Sequence, residues 1–389
     1  MKLTIPSVLL SGLITFNACA QKITAVINDA EKQTDLLLRE IPEAREGKAN
    51  LVSPRTVENG KLKLVASGDW TSGFFPGELW YLYEFTGEQK WKQKADSFTR
   101  LIEKEKFNGV THDMGFKIYC SFGNGFRLTK DPYYKEVIIQ SAKTLSTRFN
   151  KTTGTIRSWD HHKEKWQFPV IIDNMMNLEL LFAATKLTGD SSFYKIAVSH
   201  ANTTLRNHFR EDFSSYHVVD YDTLTGKVIS KMTHQGYADG SAWARGQAWA
   251  LYGYTMCYRE TKDPRYLAQA ESVAAYLLKN PNLPADGVPY WDFNDPGIPS
   301  VPRDASAAAV IASGLYELSG YSKSAKQYRA FADKVLNNLT KNYRSPIGAN
   351  KGFILIHSTG NKPASSEIDA PINYADYYYL EALLRSKNK

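Results

Sequence analysis

Apolar residues recur every three or four positions along most of this chain, and a short polar phrase repeatedly interrupts them. Between residues 173 and 184, Met176, Leu180 and Ala183 or Ala184 fall on one face; between 267 and 278, Leu267, Ala270, Ala274 and Leu277 do the same. That spacing predicts amphipathic helices. An opening helix is expected over Ile23 to Ile41, ending before Pro42, while strand-like alternation is scarce. The interrupting phrases are Glu84-Phe85-Thr86-Gly87, Arg127-Leu128-Thr129-Lys130-Asp131-Pro132, Lys186-Leu187-Thr188-Gly189-Asp190, Glu260-Thr261-Lys262-Asp263-Pro264 and Glu317-Leu318-Ser319-Gly320. Their Thr or Ser positions lie 43, 59, 73 and 58 residues apart, a period suited to a helical hairpin plus a long loop. Glycine in a left-handed C-cap stops one helix, and Asp followed by Pro starts the next. About six hairpins fit into one uninterrupted all-α domain over 21–389. Such hairpins form either an open solenoid or a closed toroid. The long insertions at 153–172, 206–242, 279–304 and 344–372 read as rim loops around a central pocket, which favours the closed form.

The first twenty residues depart from this pattern. One Lys, an apolar run from Val8 to Phe16 and Ala18-Cys19-Ala20 before Gln21 make residues 1–20 an expected cleavable export signal. The run is shorter than the roughly 20 residues that span a bilayer. The expected location is periplasmic, and Phe16-Asn17-Ala18-Cys19 resembles a lipoprotein box that would anchor the chain through Cys19. Beyond it, Cys120 and Cys257 are too few for a disulfide framework and read as buried apolar residues. The formal net charge of +8, spread along the chain, suits an anionic substrate without requiring one. The 23 Tyr, 18 Phe and 8 Trp offer flat faces for sugar rings or for an aromatic core. His112 and His161-His162 lack a ligand set at metal spacing. Phosphate loops, Gly-x-Ser-x-Gly elbows and nucleic-acid motifs are absent from the sequence, so neither a metal nor a cofactor is expected.

Three stretches carry candidate chemistry. Gly68-Asp69-Trp70-Thr71-Ser72-Gly73-Phe74-Phe75-Pro76-Gly77 opens a helix expected over Glu78 to Phe85, and Trp70 reads either as a sugar-stacking wall or as a core residue. Thr111-His112-Asp113-Met114-Gly115 and Pro169-Val170-Ile171-Ile172-Asp173-Asn174 each deliver an aspartate to a helix start, where an N-cap is the ordinary role. Their repetition in successive hairpins suggests two carboxylates aimed at one pocket, enough to hydrolyse an acetal or add water to an activated double bond. Mutual repulsion and burial would raise the pKa of one of them. The third stretch is His234-Gln235-Gly236-Tyr237-Ala238-Asp239-Gly240-Ser241-Ala242-Trp243-Ala244-Arg245-Gly246-Gln247-Ala248-Trp249, with Ser241 as the expected N-cap. Arg245, Trp249 and Tyr252 share a helical face, a grouping that suits a sugar carboxylate or a structural Arg clamped by aromatics.

Taken together, these residues resemble the unsaturated glucuronyl hydrolases, glycoside hydrolase family 88. The resemblance runs over nearly all of the mature chain: Asp69-Trp70-Thr71-Ser72-Gly73-Phe74, His112-Asp113-Met114-Gly115-Phe116, Asp173-Asn174-Met175-Met176-Asn177, His234-Gln235-Gly236, Ser241-x-Trp243-x-Arg245-Gly246-Gln247-x-Trp249 and Asp376-Tyr377-Tyr378-Tyr379-Leu380-Glu381-Ala382-Leu383. It implies an (α/α)6 barrel and hydration of the C4=C5 vinyl ether of a terminal unsaturated uronic acid. It further implies that Asp173 is the general acid and base, that Asp113 holds substrate hydroxyls and tunes Asp173, and that Trp70, His217, Gln235, Trp243, Arg245 and Trp249 shape the uronate site. Ser358 and Lys362, in a C-terminal loop, would contact the next sugar, although Lys362 departs from the Ser-x-x-Ser-x-Lys spacing of sulfate-reading members. Disaccharides of heparin or chondroitin type are the implied partners. A rhamnogalacturonyl hydrolase on the same barrel and a non-catalytic glycan-binding protein are the alternatives.

Overall fold

The computed structural model describes residues 8–387, with side chains from Ile23 onward; the leader expected over 1–20, Cys19 included, lies outside the fully described residues. Twelve helices follow one another: α1 (Val8–Arg45), α2 (Phe74–Thr86), α3 (Gln89–Arg100), α4 (π-helical over Gly115–Gly123, then α-helical over Asn124–Thr129), α5 (Pro132–Ser146), α6 (Asn174–Thr188), α7 (Ser191–Asn207), α8 (Ala244–Thr261), α9 (Pro264–Lys279), α10 (Ala305–Ser319), α11 (Ala325–Asn342) and α12 (Asn373–Ser386). The even-numbered helices are buried almost all round, whereas the odd-numbered ones bury a single stripe, such as Trp91, Ala95 and Thr99 of α3. A helix apolar on all sides belongs inside and a striped one at the surface. Each inner helix packs on the next, and α12 returns to pack on α2. That closure makes the fold an (α/α)6 barrel, as expected, and excludes the open solenoid.

The repeated phrases are the turns from inner to outer helix. Gly87, Lys130, Gly189 and Lys262 take left-handed conformations at the C-caps of α2, α4, α6 and α8. Asp131, Asp190 and Asp263 then cap the next helix, accepting the N–H of Tyr133 (2.9 Å), Ser192 (2.8 Å) and Arg265 (3.0 Å). Gly320 differs from expectation: its φ is −73°, and the chain passes on without a left-handed residue. Because these turns are short, all the long connections fall at the opposite end, where every inner helix begins.

Other expectations need correction. Helix α1 passes through Pro42 and ends one turn later, where Arg45 Nε donates to Leu51 O (3.0 Å); proline costs little so near a helix end, where it removes one hydrogen bond. Helix α2 starts at Phe74, not Glu78. Strands are short but present: a hairpin of β1 (Leu51–Glu58) and β2 (Lys61–Ala66), a two-residue pair β3 (Phe149–Asn150) and β4 (Thr155–Ile156), and an antiparallel sheet of β5 (Pro169–Ile171), β6 (Val218–Tyr221) and β7 (Val228–Met232). Cys120 and Cys257 are free and buried, as read. Among the described residues, no helix is long and apolar enough to cross a membrane.

The inner ring is packed tightly enough to need small residues at its crossings. A Cβ on Gly253 of α8 would stand 2.5 Å from Met175 Cβ of α6, whereas one on Gly240 would meet nothing within 4 Å. Gly253→Ala is therefore expected to cost about 1–3 kcal/mol, and Gly240→Ala to stay within about 0.5 kcal/mol of wild type, both read from urea unfolding midpoints.

Candidate active site

The antiparallel ladder of β5 and β6 builds the heart of the open end. Ile171 pairs with Val218, and the ladder ends with Ile172 N–H donating to His217 O (3.0 Å). The next residue, Asp173, begins α6, so His217 and Asp173 become neighbours, with Nε2 and Oδ2 3.6 Å apart. The apolar run Val170-Ile171-Ile172 is thus a buried strand that carries a carboxylate to its end.

His217 has a defined tautomer. Its Nδ1 accepts two backbone N–H groups, from His234 and Gln235, each at 3.1 Å. The ring proton must then sit on Nε2, on the side of Asp173. Burial holds the His217 pKa well below its usual value, so the ring is neutral.

Neither candidate aspartate caps its helix. Asp173 makes no side-chain cap bond at the start of α6, and the Asp113 carboxylate accepts the Thr111 hydroxyl (2.7 Å) and lies 3.2 Å from His112 Nε2. Burial raises the Asp173 pKa to about 7; the negative charge of Asp113 pushes the same way, while Arg245 and the Trp249 indole N–H oppose it. A carboxyl held there carries a proton that it can lose near neutral pH.

The other predicted residues assemble around this pair. Trp243 is the residue before α8, its ring 4.6 Å from that of His217 and 4.5 Å from the Arg245 guanidinium. Trp70 leans on Tyr374 at 5.0 Å and on Phe116 at 5.5 Å, and Phe116 meets Trp249 at 5.3 Å. Gln235 Nε2 donates to Gly360 O (3.3 Å). A cavity of about 320 Å³ opens above, lined among others by Arg55, Trp70, Trp159, Gln235, Gly360 and Tyr374. Beneath it, buried polar atoms without a hydrogen-bond partner among the described residues include Asp173 Oδ2, His217 Nε2, Arg245 Nε, Trp249 Nε1 and Tyr374 Oη. Unsatisfied buried polar atoms are costly, and several in one site mark groups held ready for a polar ligand.

One expectation fails here. Ser241 does not cap α8; its hydroxyl bonds Ala238 O (2.8 Å) and Asp292 (2.7 Å), and α8 starts after Trp243. Ser358 is wholly buried beneath the C-terminal loop. Lys362 is held by Asp295 (3.3 Å) and lies 4.7 Å over Trp291. Of the predicted site residues, Trp70 and Gln235 line the cavity, whereas Asp113, Asp173, His217, Trp243, Arg245, Trp249, Ser358 and Lys362 are not in its lining; the Ser358 hydroxyl is likewise buried without a hydrogen-bond partner among the described residues. Arg245 combines its two readings: Nη1 donates to Asp304 (2.7 Å) and Thr359 O (2.6 Å) and Nη2 to Gly360 O, while Nε has no hydrogen-bond partner among the described residues. Sequence reasoning missed Asp304, Tyr374 and Trp159, together with Arg55, which joins Glu367 (2.5 Å) to Asp69 (2.8 Å) across the rim.

A second cavity, of about 360 Å³, lies at the other end of the barrel among Tyr81, Tyr252, Tyr377, Glu381, Arg259 and Arg385. Its polar groups satisfy one another: Glu381 accepts from Tyr81 (3.0 Å), Tyr252 (3.1 Å) and Ser313 (2.5 Å). It plugs the barrel, and the chemistry belongs to the open end.

Comparison with known proteins identifies the family. Residues 48–385 match the profile described as Glycosyl Hydrolase Family 88. The chain is 59% identical over 326 residues to an unsaturated glucuronyl hydrolase of Formosa agariphila, covering 83% of this chain and 81% of that one. It is 32% identical to an unsaturated chondroitin disaccharide hydrolase of Streptococcus pneumoniae over 96% and 93% of the two chains. Among solved structures, an unsaturated glucuronyl hydrolase specific for heparin superposes with a TM-score of 0.88 at 47% identity, over 93% and 96% of the chains. With one profile spanning nearly the whole barrel and both aspartates of its open end in place, this chain belongs to glycoside hydrolase family 88.

Proposed function

We propose that this protein removes a 4,5-unsaturated glucuronic acid from the non-reducing end of oligosaccharides released by glycosaminoglycan lyases, by hydrating the C4=C5 vinyl ether. The observation that carries this reading is Asp173: buried, free of any capping duty and held near pKa 7 beside a neutral His217. Protonated Asp173 gives its proton to C4, and the ring oxygen stabilises the cation that develops at C5. The resulting carboxylate takes a proton from water as the water oxygen bonds to C5. The hemiketal opens to a ketone, and the hemiacetal left at C1 expels the next sugar as an alcohol. One water is consumed and Asp173 ends protonated. Asp113 keeps the Asp173 proton in place through its charge and faces the substrate hydroxyls, and Trp70 with Tyr374 forms the ring-stacking wall. Heparin-type disaccharides are the favoured substrates, supported by likeness to the heparin-specific structure; chondroitin-type disaccharides come second.

Asp173→Asn removes the proton donor and is expected to lower kcat by about 10²–10⁴-fold, read as lost decay of the double bond's ultraviolet absorbance with lyase-derived disaccharides. If wild type consumes none of the heparin, chondroitin or pectin products, the hydrolase reading fails.

Activity needs the protonated acid, so it should hold below about pH 7 and decline as pH rises through that value. Asp113→Asn removes a charge that favours protonation and should shift the decline toward acid pH. A limb that stays in place would deny the coupling between the two aspartates.

We also infer export, supported by residues 1–20. Mass spectrometry of protein from the native cell should find Gln21 at the N-terminus, or a lipidated Cys19; an N-terminus at Met1 would refute it.

A further inference from the structure

Asp304 is a fully buried carboxylate at the start of α10, and its two oxygens have different tasks. Oδ1 caps the helix, accepting the N–H and hydroxyl of Ser306 (3.0 and 2.5 Å) and the N–H of Ala307 (3.3 Å), and it receives the Thr359 N–H at 3.4 Å. Oδ2 faces away from the helix and accepts Nη1 of Arg245 at 2.7 Å. A cap needs only the first oxygen. The second joins α10 to α8 and, through the remaining donors of Arg245, to the carbonyls of Thr359 and of Gly360, which lines the cavity.

Arg245 therefore stands between two carboxylates, Asp304 and Asp173, and interacts electrostatically with both. Contacts run continuously between them: the Arg245 guanidinium lies 4.5 Å from the Trp243 ring, that ring 4.6 Å from His217, and His217 Nε2 3.6 Å from Asp173 Oδ2. Where water is excluded, an unneutralised guanidinium stabilises a nearby carboxylate and drives off its proton. The hydration needs the opposite, a cation present but largely compensated.

We infer that Asp304 is a positioning residue for this reaction: it locks Arg245 to the Thr359 and Gly360 carbonyls and fixes how much positive charge reaches Asp173. This rests on the reading of Asp173 as the acid. The other titratable groups facing the two are Asp113 and His112 before α4, His217 before β6 and Tyr374 of α12. None of them is altered by the substitutions below.

The test follows Asp173 in two ways, through the pH dependence of kcat/KM on an unsaturated heparin disaccharide and through the ¹³C resonance of its carboxyl carbon, identified by its loss in Asp173→Asn. Asp304→Asn and Asp304→Ser keep a capping oxygen but remove the charge. Both are expected to move the alkaline limb and the ¹³C midpoint to lower pH by about half to one unit, with kcat falling at neutral pH. Asp304→Glu keeps the charge and should keep the wild-type midpoint. Ser306→Ala weakens the cap alone and should lower the unfolding midpoint with the titration unmoved. Loss of activity without a moved midpoint would overturn the inference. So would a shift as large in Ser306→Ala, or failure of both uncharged Asp304 variants to fold, since each would assign Asp304 to the fold alone. A ¹³C shift in Asp304→Asn with no turnover by wild type would instead defeat the substrate reading and leave the charge coupling standing.

Discussion

Everything at the open end depends on the return of α12 to α2. Six hairpins stacked without closure would fan their inner-helix starts along an open surface; closure brings them to one centre. The seam is secured by side chains that bridge the chain's two ends. Asn373 Nδ2 donates to Pro54 O (2.8 Å) and Thr71 O (3.0 Å), and Thr56 Oγ1 donates to Pro371 O (2.6 Å). A Cβ on Gly77 of α2 would overlap the Tyr377 ring of α12, so the two helices approach at van der Waals distance. Burial raises the pKa of both Asp376 and its neighbour Glu78, which keeps the seam from holding two negative charges at neutral pH.

Closure also sets the energetic cost of the site. Raising Asp173 from the usual aspartate value to about 7 costs about 4 kcal/mol of folding stability at neutral pH. The folded state binds the proton more tightly than the unfolded chain. The cost is therefore absent below about pH 4, where both states are protonated, and grows as pH rises toward 7. A barrel with a core running round all six hairpins can carry that cost. The aromatic contacts of Phe116 against Trp249 and Trp70 against Phe74 hold the rings of the site to that core.

Much of this was legible because the signals are local. The turn phrases named all five inner-to-outer reversals, and in three of them a left-handed cap followed by an Asp N-cap is decided within five residues. The β1–β2 hairpin carried an equally local sign that was passed over: Asn59-Gly60, both at positive φ (51° and 74°), sits between alternating segments. Asp113 and Asp173 were found through repetition, although one residue alone could not show that they forgo capping. What remained hidden is long-range. Asp304 was missed; it caps α10, and its pairing with Arg245, 59 residues away, depends on α8 and α10 being ring neighbours.

The two ends of the barrel show what distinguishes a site from a plug. Helix α8 serves both: Arg245 and Trp249 face the open end, and Tyr252 reaches the other, where it donates to Glu381 (3.1 Å) and accepts from Arg385 (2.8 Å). At the plugged end carboxylates, phenols and guanidinium groups meet directly, as Glu381 does with Tyr81 and Tyr252 and Tyr252 with Arg385. At the open end, intervening rings hold similar groups apart: Trp243 stands between Arg245 and His217, and His217 stops 3.6 Å short of Asp173. A polar group kept from its neighbour retains an unmet hydrogen bond, and in a buried place that bond is worth most to whatever enters. The aromatic spacers are therefore part of the site as well as of its wall, because Trp243 fills the space between the Arg245 guanidinium and the His217 ring that neighbours Asp173.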